Sequence, residues 1–271
     1  MTTLGQENID QKALLEWHIA MGADEATDLE PVNRFVAPPP PAATIETKAH
    51  ATPKPAPGPT PVAARPAQPT RGAGAEEATR VANSCNTAEE LKVALEAFDG
   101  GLLKRSAKNT IFADGTFGAP LMVIGDVPGR EDDQEGTPFA GPSGMLLDKM
   151  LRAIGLSRNE NAYLSTVLPW RPLGNSKPDA GLLAVCKPFI ERHIQLAKPK
   201  VVLGMGGALG KALFETQDSI SRQRGRWQEL SSGGQTFALI ATYHPVYLMS
   251  QPHQKGVAWQ DLLTVKEKLS S

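Results

Sequence analysis

The chain has 271 residues, 41% of them hydrophobic, which is enough for one well-buried core, while its two cysteines exclude a disulfide framework or a four-thiolate metal site within one chain. No segment reaches the roughly 18 apolar residues of a membrane span and no basic leader opens the chain, so the expectation is a soluble cytoplasmic protein, nucleoid-associated in a prokaryote, with no membrane partner. The net charge of −1 divides unevenly: residues 1–99 carry 8 basic and 14 acidic side chains, and residues 100–271 carry 20 and 15, a balance that permits a phosphate-binding face without demonstrating one.

In chain order, the first expected element is a short amphipathic helix over residues 9–22, within an N-terminal arm of residues 1–36. Ala13, Leu14, Trp17, Ile19 and Met21 fall near helical spacing there. Two readings stay open: a tethered docking peptide for an unknown protein, or a marginal helix that docks on its own domain or frays. Residues 38–69 then hold 11 prolines in 32 positions and no aromatic residue, so residues 37–83 read as a disordered Pro/Ala-rich linker. Order is expected over residues 84–271, starting where Thr87 caps a helix with Glu90 three residues on and Leu91, Val93, Ala94, Leu95 and Phe98 as its apolar stripe.

Four apolar runs suit buried strands: Leu121–Gly125, Ala162–Leu168, Val201–Gly204 and Phe237–Thr242. Each precedes a helical pattern, at 143–154, 181–197, 207–215 and 255–269, and residues 225–235 read as a hairpin entering the last strand. The predicted fold is a three-layer α/β/α domain around a central, mainly parallel four-stranded sheet. Ligands of such sheets bind beyond the carboxyl ends of the strands.

Two of those strand ends carry the chemistry. Residues 125–147 read GDVPGREDDQEGTPFAGPSGMLL, where glycines and prolines turn the backbone tightly, Asp126 stands at the strand end and Phe139 precedes a helix begun by Ser143. Asp126 alone is as well explained by a carboxylate that satisfies loop amides as by catalysis, and Phe139 alone, an aromatic beside a proline, reads more readily as a core residue than as a ligand contact. Residues 243–255 read YHPVYLMSQPHQK, with His244 held extended by Pro245 and turned toward the same mouth. LGMGGALG at 203–210 misses the register of a dinucleotide loop, and its glycines read instead as close helix packing.

Taken together and in order, GDVPG with its following PF, SG and LL, the YLSTVLPWRP segment, KPKVVLGMG and HPVYL resemble the uracil-DNA glycosylases of the iron-sulfur branch, family 4, over about residues 98–265. The resemblance implies a monomeric, monofunctional DNA repair hydrolase that flips uracil out of single- or double-stranded DNA and hydrolyses its N-glycosidic bond, leaving an abasic site. It implies Asp126 and His244 as catalytic residues, and Gly125, Val127, Pro128, Gly129, Phe139 and Thr166 as the base pocket. DNA contacts would come from Arg130, Ser143, Arg171, Lys177, Pro245, Tyr247, Leu248, Met249 and Lys255.

Three departures from the family pattern stand out. Of four cluster cysteines only Cys186 remains, with Trp170 in the third position, so no iron-sulfur cluster and no other cofactor or metal is expected. Asp126 replaces the usual glutamate, and Thr166 replaces the asparagine that reads the uracil edge. These departures keep two alternatives alongside the first reading: a lesion- or abasic-site-binding protein with weak turnover, and a glycosylase for another deaminated base.

Overall fold

A computed structural model describes residues 71–214 and 216–271. The arm helix expected at 9–22 and most of the expected linker lie outside the described residues. The last part of that linker differs from expectation, because Arg71–Ser84 (α1) is helical. Its inward side is built from Ala78, Ala82 and the following Cys85, all buried, and a Cβ on Gly74 would already touch Val185. Small side chains let this helix lie close against its neighbour, and for the same reason they leave little apolar signal in the sequence.

Thr87 caps Ala88–Ala97 (α2), accepting from the Glu90 amide, while the Glu90 carboxylate accepts from the Asn86 amide. Gly101–Ser106 (α3) and Asp114–Gly115 (β1) follow. The four expected strands form as Leu121–Gly125 (β2), Ala162–Thr166 (β3), Val201–Met205 (β4) and Gln235–Thr242 (β6). They lie side by side and parallel in the order β3-β2-β4-β6. Two antiparallel edges widen the sheet to six strands: β1 on β3, and Trp227–Ser232 (β5) on β6 through the expected hairpin. β1 escaped the sequence reading because two residues carry no periodicity.

The remaining helices are Arg130–Glu135 (α4), Gly141–Ala153 (α5), Ala180–Ala197 (α6), Ala208–Phe214 (α7), Ile220–Gln223 (α8), Pro245–Ser250 (α9) and Lys255–Ser270 (α10). The parallel strands are buried on both faces, as their continuous apolar runs require. On one face Met122, Ile124, Tyr163, Val202 and Leu239 pack with α1, α2, α6 and α7. On the other, Leu121, Val123, Leu164, Leu203 and Ile240 pack with Leu147 and Leu151 of α5 and Leu262 and Val265 of α10. Among the described residues no helix is long and apolar enough to cross a membrane.

Candidate active site

At the carboxyl end of β2, Gly125 lies in close approach to the loop that follows. A Cβ there would stand 2.9 Å from the Phe139 ring, so glycine is what lets the ring lie on the end of the strand. Phe139 itself takes a left-handed backbone, φ 54°, uncommon for a bulky residue and costing on the order of 1 kcal/mol or more. Three contacts hold it there. The Asp132 carboxylate accepts from the Gly129 amide and the Ala140 amide, both at 2.7 Å, and so ties the GDVPG loop to the residue after Phe139. Arg158 donates to the Phe139 carbonyl at 3.4 Å while paired with Asp114 and Asp148 at 2.7 Å each. Gly144 leaves room for that carbonyl, which a Cβ would meet at 1.7 Å.

Opposite, His244 caps α9. Its ring lies nearly parallel to Phe139, with centroids 5.5 Å apart and 17° between planes. Nδ1 accepts from the Val246 amide at 3.2 Å, which places the proton of the neutral ring on Nε2. Burial pushes the imidazole down to about 4, so it is neutral at pH 7.

Asp126 faces a different neighbour. Its Oδ1 accepts from the Ala208 amide at 2.7 Å and its Oδ2 from the Gly207 amide at 3.1 Å, so the carboxylate covers the start of α7. Gly206, with φ 105°, makes the space, since a Cβ there would lie 2.0 Å from Oδ2. Burial raises Asp126 to about 6, against the pull of those two amides and of Lys211. The glycines of LGMGGALG thus serve close packing: Gly206 against Asp126, Gly204 against Leu209 and Gly210 against Gln223. Thr166 is buried at the end of β3, and its hydroxyl donates to the Leu168 carbonyl at 2.7 Å.

The expected DNA contacts divide. Arg130, Lys177 and Lys255 are exposed, as are Tyr247 and Met249, while Arg171 is half-buried and the Ser143 hydroxyl donates to the Ala140 carbonyl. Leu248 and Pro245 require correction as surface contacts. Leu248 is 1% exposed and packs with Tyr243 and Ala258 beneath the loop, and Pro245 is buried in the first turn of α9. One turn of helix after His244 sends residue 248 inward and leaves Val246, Tyr247 and Met249 outward.

The model of the uracil DNA glycosylase superfamily matches residues 112–263, more than half of the chain. The chain belongs to this superfamily. Within it, the chain is similar to the type-4 uracil-DNA glycosylases of Saccharolobus solfataricus, 32% identical over 169 residues, or 60% of this chain and 78% of the relative, and of Archaeoglobus fulgidus, 32% identical over 169 residues, 61% and 84%. The type-4 uracil-DNA glycosylase of Thermotoga maritima is 32% identical over 142 residues, 52% of this chain and 72% of the relative.

The residues of this superfamily member do not fit the cluster of the iron-sulfur branch. At the third cysteine position, Trp170 is 1% exposed, donates to Thr110 Oγ1 at 2.9 Å and packs so tightly on Gly100 that a Cβ there would lie 2.6 Å from the ring. Lys104 stands 5.9 Å above the same ring. At the fourth position the Cys186 thiol is buried in the core cluster, and burial pushes it up to about 12. Sequence reasoning missed Asp132 and Arg158, which hold Phe139 at the end of β2. The signal for Asp132 was a carboxylate three residues into a helix after a glycine turn, whereas Arg158 reaches Phe139 only through the fold.

Proposed function

We propose that the chain is a monofunctional DNA repair glycosylase that takes uracil out of DNA and hydrolyses its N-glycosidic bond, leaving an abasic site. The observation that carries this reading is the near-parallel Phe139–His244 pair at the strand ends, with Gly125 clearing the way for the ring. Phe139 stacks on the flipped base and returns part of the few kcal/mol lost on unstacking. The bond between the sugar C1′ and the base N1 breaks with its electron pair moving onto the base, where the His244 Nε2–H donates to the uracil oxygen that gathers the charge. A neutral imidazole suits that task, since it donates without first having to hold a proton in a buried place. Water adds its oxygen to C1′ of the oxocarbenium-like sugar, and its proton leaves to the base or to solvent. Asp126 stabilises the sugar cation or orients that water from its position at the start of α7.

Arg130, Lys177, Lys255, Arg171 and the Ser143 hydroxyl serve the phosphates in this reading, Tyr247 and Met249 face the duplex, and the enzyme acts as a monomer without cluster, metal or other cofactor. The N-terminal arm is dispensable for the chemistry on short oligonucleotides. A binding module with weak turnover is favoured by one observation: both Asp126 oxygens already accept backbone amides. Alkali-induced strand scission after incubation with a uracil-containing oligonucleotide decides between them. Scission is expected. Tight binding without scission supports the binding module, and neither binding nor scission overturns both.

A further inference from the structure

Gly125 and Thr166 are register partners on adjacent parallel strands, so the Thr166 side chain leaves the sheet on the face toward which a Gly125 Cβ would point. On that face the Phe139 ring lies against Gly125. Leu121, Val123 and Leu164, two and four residues back along the strands, pack in the same cluster as Phe139. Thr166 and the stacking ring therefore belong to one floor.

The Thr166 hydroxyl has one proton, and that proton is committed to the Leu168 carbonyl at 2.7 Å. What remains on Oγ1 is lone pairs, so toward a base the side chain accepts and does not donate. The edge of uracil offers two carbonyl oxygens and, between them, N3–H. In the same pose cytosine offers an unprotonated N3 and an amino group. An acceptor set against N3 pairs with uracil and meets a second lone pair in cytosine. The carbonyl at C4 receives no donor from this residue, unlike the case of an amide side chain, which accepts and donates in one plane.

We infer that Thr166 is a specificity-determining residue that reads the ring N–H alone, so that the substrate class is pyrimidines protonated at N3, with the group at C4 left unread. The inference rests on the proposed glycosylase pocket. It makes the site a detector of the one ring atom whose protonation changes when an amino-pyrimidine is deaminated, and it extends the substrates to bases that keep N3–H but vary at C4.

The test uses one oligonucleotide sequence carrying, at a single position, uracil, 4-thiouracil, N3-methyluracil or cytosine, with strand scission and binding both measured on the whole chain. For the wild type, 4-thiouracil is expected within about threefold of uracil, and N3-methyluracil and cytosine at least about a hundredfold lower. Thr166→Val, close in shape but without the acceptor, collapses the ratio of uracil to N3-methyluracil, and Thr166→Ser retains it. Thr166→Asn adds a donor and makes excision sensitive to the C4 group. Loss of 4-thiouracil as severe as that of N3-methyluracil overturns the inference, as does full discrimination in Thr166→Val. The wild-type arm holds even if a variant misfolds. Preferential binding of N3–H bases without scission sinks the glycosylase reading and leaves the inference standing, whereas scission or binding without base preference sinks the inference alone.

Discussion

Ser165 and Thr166 are neighbours on β3 that point to opposite faces of the sheet, and the two faces have been built by different means. On the Thr166 side the strand ends meet Phe139 and His244, and Asp132, Thr166 and His244 are each tied to a backbone amide or carbonyl. On the Ser165 side its hydroxyl donates to the Phe112 carbonyl, His193 meets the Tyr163 hydroxyl at 2.9 Å, and Trp170, Phe189 and Cys186 pack in one core cluster. Directional bonds, the Arg158 ion pairs among them, position Phe139 on one side, and the bulk of Trp170 dominates the packing on the other. Directional bonds fix the position of individual groups, whereas a large buried side chain fixes a region by its volume.

The largest expected effect tests the first side. In the proposed mechanism His244→Ala removes the donor to the leaving base, and it is expected to lower turnover on saturating uracil-containing DNA by about 10²–10⁴-fold, with binding changed far less. Single-turnover kinetics measure this, and unchanged turnover takes His244 out of the mechanism.

Next in size is the other side. Trp170→Ala empties a fully buried volume beside Gly100 and leaves the Thr110 hydroxyl without its donor, for an expected loss of about 3–5 kcal/mol of stability in denaturant titration. The wild-type protein is expected to purify colourless, and stoichiometric iron would contradict the role given to this tryptophan. Excision by whatever fraction stays folded should be retained, since the change lies across the sheet from Phe139.

The smallest effect concerns Asp126, whose carboxyl is held up to about 6 in the folded state against an ordinary value of 3.8. The folded state therefore binds this proton more tightly than the unfolded state. The contribution to stability is full below about pH 4 and is lost as pH rises through about 6. Relative to Asp126→Asn, the wild type should lose on the order of 1–2 kcal/mol between pH 4 and pH 7, after allowance for partial solvent screening. His193 and His244, pushed down to about 3 and about 4 by burial, act in the opposite sense, with stability full above about 6.5 and lost as pH falls. They titrate alike in both proteins, so they cancel in the comparison. Equal pH dependence of the two proteins would show that Asp126 does not titrate in this window.

Sequence by itself determined the parts governed by local chemistry. Continuous apolar runs bounded by turn residues located the four parallel strands, and Thr87 with Glu90 located the first helix after the linker. Cysteine count ruled out four thiolates, and the GDVPG and HPVYL segments marked the ends of β2 and β6, where Gly125, Phe139 and His244 meet. These features depend on residues a few positions apart, where periodicity and capping act. Tertiary structure decided the rest. It set which oxygen of Asp126 meets which amide, turned Leu248 inward while leaving Tyr247 out, and brought Arg158 to the Phe139 carbonyl 19 residues away. It also gave the Thr166 proton to Leu168. Hydrogen bonds depend on ångström-scale distances and on direction, and only the packed chain supplies those between groups far apart in sequence.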